Sequence, residues 1–470
     1  HVLLFPLPLQ GPVNSMLKLA ELLCLADLHI TFVVTDYIHA RLQCRPNFHA
    51  RFDHYPNFQI KTVSDGLPED HPRGERFIEL FDSLKRETKP LFKDMLTSGC
   101  LESESRRRVS CIVADGILGF TCDVGNELGI PVFYVRTISA CCLWVSIFKD
   151  QFICLVGDDM DELIKSVPRM DRFLRRRDLP SFCRSGDISN PNIQLYRREC
   201  DEIPRAYGLI LNTFEELEGP ILGAMRSLCP NIYTIGPLHA HLKEKLAARG
   251  SIQRTISNSL WEEDRTCIEW LDAQASKSVI YVSFGSLVVM TNEQYMEFWY
   301  GLVNSRQRFL WVIRPDSIVA KSSESRISEE LSKGTKDRGY IVEWAPQEEV
   351  LAHPSVGGFL THSGWNSTLE SIVEGVPMIC WPYFVDQQVN SRFVGSEWNL
   401  GLDMKDTCDR DVVEKMVRDL MEMRKEEFLQ RADEMAKSAK RCLARGGSSY
   451  DSFENLVRDI ESMSARVPFD

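Results

Sequence analysis

The segment from Trp344 to Gln388 combines aromatic, polar and glycine residues in an order suited to binding a phosphate-bearing ligand. Its apolar run VGGFLTH predicts a short buried strand that ends at His362. The residues that follow, SGWNSTLESIVEG, predict a turn at Gly364 and a helix capped by Asn366 or Ser367. Because the first turn of a helix presents free N–H groups and a positive dipole end, we expect a diphosphate there, with His362 pointing toward it.

A second, shorter arrangement of the same kind precedes this segment. The stretch SVIYVSFGSLVVMTNEQYMEF predicts a strand from Val279, a turn at Gly285 and Ser286, and a helix from about Thr291. Two turns that face phosphate would suit one diphosphate.

Other polar and aromatic side chains suggest the remainder of such a ligand. Trp344, in a predicted loop, can stack on a base, and Glu370 can accept hydrogen bonds from ribose hydroxyls. Asp386 and Gln387 can bind sugar hydroxyls. A single tryptophan is more often a core residue and an Asp-Gln pair is usually a solvated turn, but their combination indicates a nucleotide-sugar site.

The full pattern W..Q..VL.H...G.F.TH.GWNS..E....GVP...WP...DQ resembles the signature of the plant family-one UDP-glycosyltransferases. The segments HVLLFPLPLQG, IVADGILG and SFGS extend this resemblance over nearly the whole chain. It implies that UDP-glucose is the donor, and Gln387 in place of His favours glucose over galactose. The predicted binding residues are Trp344, Ala345 and Gln347 for uracil, Glu370 for ribose, Ser286, His362, Asn366 and Ser367 for the diphosphate, and Trp365, Asp386 and Gln387 for the sugar, with Gly364 and Phe384 completing the UDP-sugar set.

The first loop departs from this family. Where the family has a histidine that acts as general base, the chain has Pro12, in the sequence QGP. The aspartate that holds this histidine in the family matches Asp115 in CIVADG. Pro12 is predicted at the first position of a helix, which proline favours, so the fold should tolerate it. Three further histidines, His39, His71 and His239, are predicted on surface loops and are not expected to replace the base.

Loss of a general base costs about two to four orders of magnitude in rate, so the departure needs an explanation. Asp115 can act directly or through a water molecule, with a pKa raised by burial. Alternatively, the acceptor arrives ionised, as a carboxylic acid, acidic phenol or enol. In the third case, the chain binds the UDP-sugar and turns it over slowly or not at all. The sequence leaves these alternatives open.

The resemblance implies displacement at the anomeric carbon with inversion, which converts UDP-α-glucose into a β-glucoside. His362, Ser286 and a helix N-terminus would stabilise the departing UDP, so neither metal nor cofactor is expected. Pro12, Asp115 and Thr137 are predicted to line the acceptor pocket, although Thr137 can equally be a helix cap. The segments RTISACCLW, VPRMDRFLRRRDLPSF and QGPVNSMLKLAELL are similar to a subgroup described as 7-deoxyloganetic acid glucosyltransferase-like. This similarity suggests an iridoid, another terpenoid or a phenolic acceptor, selected by loops that include 64–76 and 138–153.

Two rival enzyme classes are disfavoured. The triplet Asp159, Met160, Asp161 matches the D-x-D of metal-dependent glycosyltransferases, but its context predicts an acidic helix start. A dehydrogenase would carry G-x-G-x-x-G after the first strand, which the chain lacks. A catalytically weak or inactive UDP-sugar-binding homologue remains possible because of Pro12.

Composition indicates a globular protein that acts on small molecules. The formal net charge of -12 over 470 residues, without Lys/Arg tracts, argues against nucleic acid. Fifteen cysteines without a C-x-x-C pair indicate reduced thiols and a cytoplasmic location. We expect a monomer without a membrane span. The apolar start predicts a first strand and not a signal peptide, with some residues missing before His1.

The elements that must position these residues alternate between apolar strands and amphipathic helices, which predicts the α/β class. We expect two doubly wound, Rossmann-like parallel-sheet domains that face a cleft, the GT-B type of glycosyltransferase fold. The predicted acceptor domain covers 1–240 and receives the C-terminal helix 448–470. A linker at 241–265 precedes the UDP-sugar domain at 266–447, which a mobile excursion at 314–336 interrupts. The predicted strands are 2–6, 29–35, 58–62, 111–114, 132–135, 208–212, 279–283, 309–313, 339–343, 356–361 and 378–380.

Overall fold

The computed structural model describes residues 1–45, 48, 51–99, 101, 108–151, 159–184, 187–250, 259–315, 317 and 338–464. The chain divides into two compact units. The first contains His1–Leu155, Gly186–Leu260 and Arg441–Asp470, and the second contains Val156–Ser185 and Trp261–Lys440. No helix in these described ranges combines the length and the apolar character that crossing a bilayer requires.

The first unit is built on a seven-stranded sheet whose strand order is β3-β2-β1-β4-β5-β6-β7. All neighbouring strands are parallel, and most strand residues are buried, as expected where helices cover both faces. The strands are β1 Val2–Phe5, β2 Ile30–Thr35, β3 Phe58–Val63, β4 Cys111–Asp115, β5 Val132–Arg136, β6 Gly208–Leu211 and β7 Ile232–Thr234. The α-helices are Gln10–Leu25, Asp36–Gln43, Phe77–Ser83, Lys89–Thr97, Phe120–Leu128, Ala140–Ile147, Pro191–Asp201, Glu215–Met225, Leu238–Ala248 and Ser448–Ser464.

The second unit contains a six-stranded parallel sheet in the order β10-β9-β8-β11-β12-β13. This order makes β8 and β11 neighbours, so the two turns predicted to bind phosphate follow adjacent strands. The strands are β8 Val279–Ser283, β9 Arg308–Val312, β10 Gly339–Val342, β11 Val356–Thr361, β12 Met378–Cys380 and β13 Gly401–Asp403. The α-helices are Thr266–Asp272, Asn292–Asn304, Gln347–Ala352, Trp365–Val373, Gln387–Arg392, Arg410–Arg418 and Lys425–Leu443, which begins in this unit.

The predicted α/β class with two doubly wound parallel sheets is confirmed. Every predicted strand is present, and β7 and β13 are additional. The compact units differ from the predicted division in three places, one of which is that residues 441–447 belong to the first unit. The predicted linker 241–265 starts inside the helix Leu238–Ala248, and residues 156–185 belong to the second unit. The predicted excursion 314–336 lies mostly outside the described residues.

Charge pairing holds the segment Val156–Ser185 to the second unit. Asp178 is fully buried, and its carboxylate accepts from Lys405 Nζ at 2.9 Å and from Arg175 Nη2 at 3.0 Å. Arg184 Nη1 pairs with Asp406 at 2.9 Å. Lys405 and Asp406 lie more than two hundred residues from Asp178 and Arg184 along the chain, so a local pattern does not predict these two pairs.

Several local predictions are wrong, including the surface loops predicted for His39 and His239, which lie in the helices Asp36–Gln43 and Leu238–Ala248. The helix after β1 begins at Gln10, so Pro12 occupies its third position, where the missing N–H would have no intrahelical partner in any case. Asp159 to Asp161 form a turn instead of a helix start, and Asp161 pairs with Arg175 at 3.2 Å. His71 is buried instead of lying on a surface loop, and its imidazole contacts Glu79 at 3.2 Å.

Half of the predicted loop 138–153 is the helix Ala140–Ile147. Ser139 caps this helix, because its hydroxyl accepts from the N–H of Cys142 at 3.0 Å. The buried carboxylate of Glu218 accepts from the N–H of Cys141 at 2.7 Å. The alternative interpretation of Thr137 as the helix cap is therefore wrong, and its hydroxyl remains a predicted acceptor-side group.

Candidate functional site

The carboxyl ends of β8 and β11 carry the two predicted turns. The strands are paired so that Ser283 lies opposite Thr361, which brings the turns side by side. Gly364 is the N-cap of the helix Trp365–Val373, and no side chain caps this helix. Asn366 and Ser367, which were predicted as caps, instead lie in its first turn. The N–H groups of that turn have no intrahelical partner, so they form an anion-binding end.

His362 lies between the two turns. A methyl group added at Gly285 would come within 2.6 Å of its imidazole, and one added at Gly364 within 2.5 Å. Both glycines therefore leave room for the ring, and Gly285 also adopts a left-handed φ of 72°. Burial, together with the charge of Arg314, lowers the pKa of His362 to about 4, although a backbone contact with Ser283 opposes this shift. The imidazole is thus neutral at pH 7 and offers one N–H donor.

Arg314 supports the first turn and was not predicted. Its Nη1 donates to Gly285 O at 3.0 Å and its Nη2 donates to Val288 O at 2.9 Å, across the turn that carries Ser286. Its guanidinium also lies over the Trp261 ring, 5.7 Å from the centroid. The only sign of Arg314 in the sequence was a single arginine directly after the predicted strand 309–313.

The residues predicted to bind uracil and ribose form one connected group. Trp344 stacks on Trp261, with ring centroids 5.7 Å apart and planes 25° from parallel, so one face of its indole is covered. Gln347 Nε2 donates to Glu370 Oε2 at 2.7 Å and to Ser367 Oγ at 2.9 Å. These bonds hold the predicted base and ribose residues at the start of the helix Trp365–Val373. Ala345, which lies between Trp344 and Gln347 in the sequence, is buried.

Gln387 has a defined orientation on the sugar side. Its Oε1 accepts from the N–H groups of Tyr383 at 2.8 Å and Phe384 at 3.0 Å. Because the oxygen is identified by two N–H donors, the amide nitrogen must point the other way. Gln387 can therefore offer an NH₂ donor to a sugar hydroxyl, while Phe384 contributes through its backbone.

Asn390 connects Asp386 to the turn after β11 and was not predicted. Its Nδ2 donates to Asp386 Oδ2 at 2.8 Å and to Ser363 O at 2.9 Å. The signal in the sequence was its position four residues after Asp386, on the same side of a helix. Trp365 is 2% exposed and its ring lies 6.1 Å from that of Trp398, while its backbone N–H belongs to the first turn of the helix.

The predicted acceptor-side residues lie in the first unit. Asp115 ends β4, next to the end of β1, and Thr137 follows β5. Asp115 Oδ1 accepts from the N–H of Ile117 at 3.3 Å, whereas Oδ2 is buried and has no hydrogen-bond partner among the described residues. Pro12 lies in the first turn of the helix after β1 and is partly exposed.

The environment of Asp115 suits a general base. Burial raises the pKa of its carboxyl to about 6, against the opposing effects of the Arg136 charge and the N–H groups of Ile117 and Leu7. A carboxyl with this pKa is mostly ionised at pH 7 and is more basic than an exposed aspartate. Sequence reasoning identified Asp115 but missed Arg136, the charged residue that ends the buried run VFYVR.

Comparisons with known proteins extend over both units. Residues 250–430 match the family model described as UDP-glucoronosyl and UDP-glucosyl transferase. Over 470 residues the chain is 57% identical to 7-deoxyloganetic acid glucosyltransferase of Catharanthus roseus, with 98% of each chain covered. It is 40% identical over 483 residues to 7-deoxyloganetin glucosyltransferase of Gardenia jasminoides, again with 98% of each covered.

A solved structure shows the same fold. Os79 from O. sativa, in complex with UDP, is similar to this chain with a TM-score of 0.83 and 27% sequence identity. The similarity covers 98% of this chain and 100% of that one.

Proposed function

The chain belongs to the plant family-one UDP-glycosyltransferases, in the subgroup of 7-deoxyloganetic acid glucosyltransferase, and on that basis we propose that it transfers glucose from UDP-glucose to an iridoid-type acceptor. The fold is the GT-B type, and the chain is an enzyme. The observation that carries the proposal is the uncapped helix N-terminus at Gly364, with the His362 imidazole beside it.

The second unit provides a separate group for each part of UDP-glucose. The face of Trp344 that Trp261 leaves uncovered receives the base, with Ala345 and Gln347 beside it, and Glu370, which Gln347 holds by a hydrogen bond, receives the ribose. The first-turn N–H groups, Ser286 and His362 stabilise the negative charge that develops on the departing UDP. Gln387 donates from its amide NH₂ to the sugar, which suits glucose.

The first unit provides the proposed base. The acceptor hydroxyl oxygen attacks the anomeric carbon, the bond from that carbon to the UDP oxygen breaks, and the configuration inverts from α to β. Asp115 Oδ2 takes the hydroxyl proton, directly or through one water molecule. This assignment is supported by the unpartnered Oδ2 and by the raised pKa of the carboxyl, and it explains how Pro12 is tolerated.

The direct test is a transfer assay with the purified chain, UDP-glucose and 7-deoxyloganetic acid. We expect UDP release matched by a product that gains one hexose, with a β-anomeric proton coupling in its NMR spectrum. Rates should be unchanged in excess EDTA and much lower with UDP-galactose. An α-glucoside would contradict inversion, and the absence of any product with a range of small acceptors would contradict the proposed function.

The variant Pro12→His separates the three explanations for the missing histidine. If Asp115 is the base, the unmodified chain glucosylates hydroxyl groups and the added histidine changes the rate by less than about tenfold, because a base is already present. If only acidic nucleophiles react, the acceptor supplies its own ionisation. If UDP-glucose binds but transfer requires Pro12→His, the natural chain is a UDP-sugar-binding homologue.

A further inference from the structure

Arg136 is a buried cation that the proposed mechanism does not use. It ends β5, and its side chain is 8% exposed. Its Nη1 is buried and has no hydrogen-bond partner among the described residues. The stem of the side chain passes over Gly116, where an added Cβ would lie 2.6 Å from Arg136 Cδ. The absence of a side chain at Gly116 therefore makes room for an arginine in this position.

Asp115 does not neutralise Arg136 by a hydrogen bond or an ion pair that the structure shows. Asp115 ends the adjacent strand and lies near enough for the guanidinium to affect its ionisation. Asp115 Oδ2 and Arg136 Nη1 nevertheless each lack a hydrogen-bond partner in the part of the chain that the structure describes. Two groups of opposite charge, each with one buried atom that lacks a partner, thus lie at the ends of neighbouring strands, at the edge of the sheet where the acceptor-side residues are found.

A buried guanidinium without a partner is unfavourable, because its lost hydration is not replaced. Its planar set of N–H donors matches a carboxylate, which can accept two parallel hydrogen bonds. A phosphate dianion fits less well, because the adjacent Asp115 would repel its additional negative charge. The missing partner is therefore best supplied by a planar group with a single negative charge.

We propose that Arg136 binds a carboxylate of the acceptor and thereby positions a separate hydroxyl of the same molecule beside Asp115. This inference rests on the proposed function, and it defines the substrate class as hydroxy acids. A carboxylate paired with a guanidinium is a weaker nucleophile, so it is held while the hydroxyl reacts. The product keeps its free carboxylate and is a glucoside instead of a glucose ester.

The test compares Arg136→Gln with the unmodified chain on 7-deoxyloganetic acid and on its methyl ester, at saturating UDP-glucose. We expect the substitution to raise KM for the acid by about 10- to 100-fold, the usual effect of losing a charge-assisted hydrogen bond. KM for the methyl ester should change less than about threefold. Arg136→Lys keeps the charge without the planar donors and should give an intermediate KM.

The control variant is Arg226→Gln, which removes an exposed guanidinium that pairs with Glu215 in the same unit. Arg226→Gln should leave KM for both the acid and the ester unchanged. Thermal unfolding and UDP affinity of each variant report on folding. An equal loss for acid and ester in a folded Arg136→Gln protein would overturn the proposal, because it would indicate a structural role.

Calorimetric binding of the acid alone separates this inference from the proposed function. If the unmodified chain binds the acid and Arg136→Gln does not, the carboxylate site is supported even when no glucose is transferred. If both proteins bind the acid equally, the carboxylate site is wrong even when transfer is efficient. If the unmodified chain binds no acid at all, the carboxylate site is also wrong.

Discussion

Replacing Asp115 by Asn should abolish most of the activity and stabilise the protein at the same time. The substitution keeps the size of the side chain and the oxygen that accepts from the N–H of Ile117, but it removes the negative charge. A residue that only supports the fold would lose stability and activity together. Opposite changes in the two quantities therefore identify a buried charge that is retained for chemistry.

The size of the stability change follows from the shifted pKa. Burial raises the pKa of Asp115 from 3.8 to about 6, against the attraction of Arg136. Because the folded-state pKa lies above the unfolded value, ionisation disfavours the folded state. The stabilising contribution of the neutral carboxyl is present below pH 4 and is lost as the pH rises through 6. A shift of about two units corresponds to about 3 kcal/mol, so Asp115→Asn should be more stable by up to about this amount at pH 7.5.

The activity assay is the pH dependence of kcat/KM. For the unmodified chain, kcat/KM should fall about tenfold per unit below pH 6, as Asp115 becomes protonated. Asp115→Asn should lower kcat/KM by about two to four orders of magnitude at pH 7.5 and should lack this acid limb.

Urea unfolding at pH 7.5 and pH 4.5 measures the stability of both proteins. Asp123→Asn is the matched control, because hydrogen bonds and charges from Lys89 and Arg205 outweigh burial and lower the pKa of Asp123. It should lose about 0.5–1 kcal/mol at pH 7.5 and keep its activity. An Asp115→Asn protein that retains an acid limb with near-normal rates would refute the base assignment. One that is less stable at pH 7.5 would refute the burial argument.

The donor site gives three further predictions. Gln387→Glu keeps the oxygen that accepts from two backbone N–H groups but loses the NH₂ donor, so KM for UDP-glucose should rise about tenfold while calorimetry shows unchanged affinity for UDP. Gly364→Ala places a methyl group 2.5 Å from the imidazole of His362 and should weaken UDP binding by about 10-fold or more. The control Gly223→Ala adds a methyl group with no atom within 4 Å. It should leave UDP binding unchanged and raise the free energy of unfolding, measured by thermal unfolding, by about 0.5–1 kcal/mol. Trp344→Ala should weaken UDP binding in fluorescence titration by about 1–3 kcal/mol, and Trp261→Ala by clearly less, because only the first removes the surface on which the base stacks.

The donor site could be predicted because its residues are close together in the sequence. A strand, a turn and the start of a helix bring Thr361 to Glu370 to one edge of the sheet, so a local pattern defines their relative positions. The phosphate-binding chemistry of this arrangement comes from backbone N–H groups, which every such turn provides. Arg314 and Asn390 were missed because they act through other residues and show no ligand-binding pattern of their own.

The limits of sequence reasoning lie where distant contacts decide the structure. The segment around Asp178 joins the second unit because its buried carboxylate pairs with Lys405, a contact that no local periodicity indicates. The strands Ile232–Thr234 and Gly401–Asp403 have three residues each, which is too short for a reliable alternation pattern. Pro12 was predicted to be the first residue of its helix but is the third, because proline is tolerated throughout the first turn.

The donor residues of the second unit and the acceptor-side residues of the first unit differ in how far their polar groups are satisfied within the protein. On the donor side, Gln347, Gln387 and Asp386 are each held by hydrogen bonds to neighbouring residues, so the site is formed before UDP-glucose binds. On the acceptor side, Asp115 and Arg136 keep buried atoms without partners. These unpartnered atoms destabilise the free protein, and we propose that an acceptor with both a hydroxyl and a carboxylate supplies a partner to each of them. A neutral acceptor would supply a partner to Asp115 but not to Arg136. The unpartnered atoms that weaken the fold would therefore also favour acceptors that carry a carboxylate.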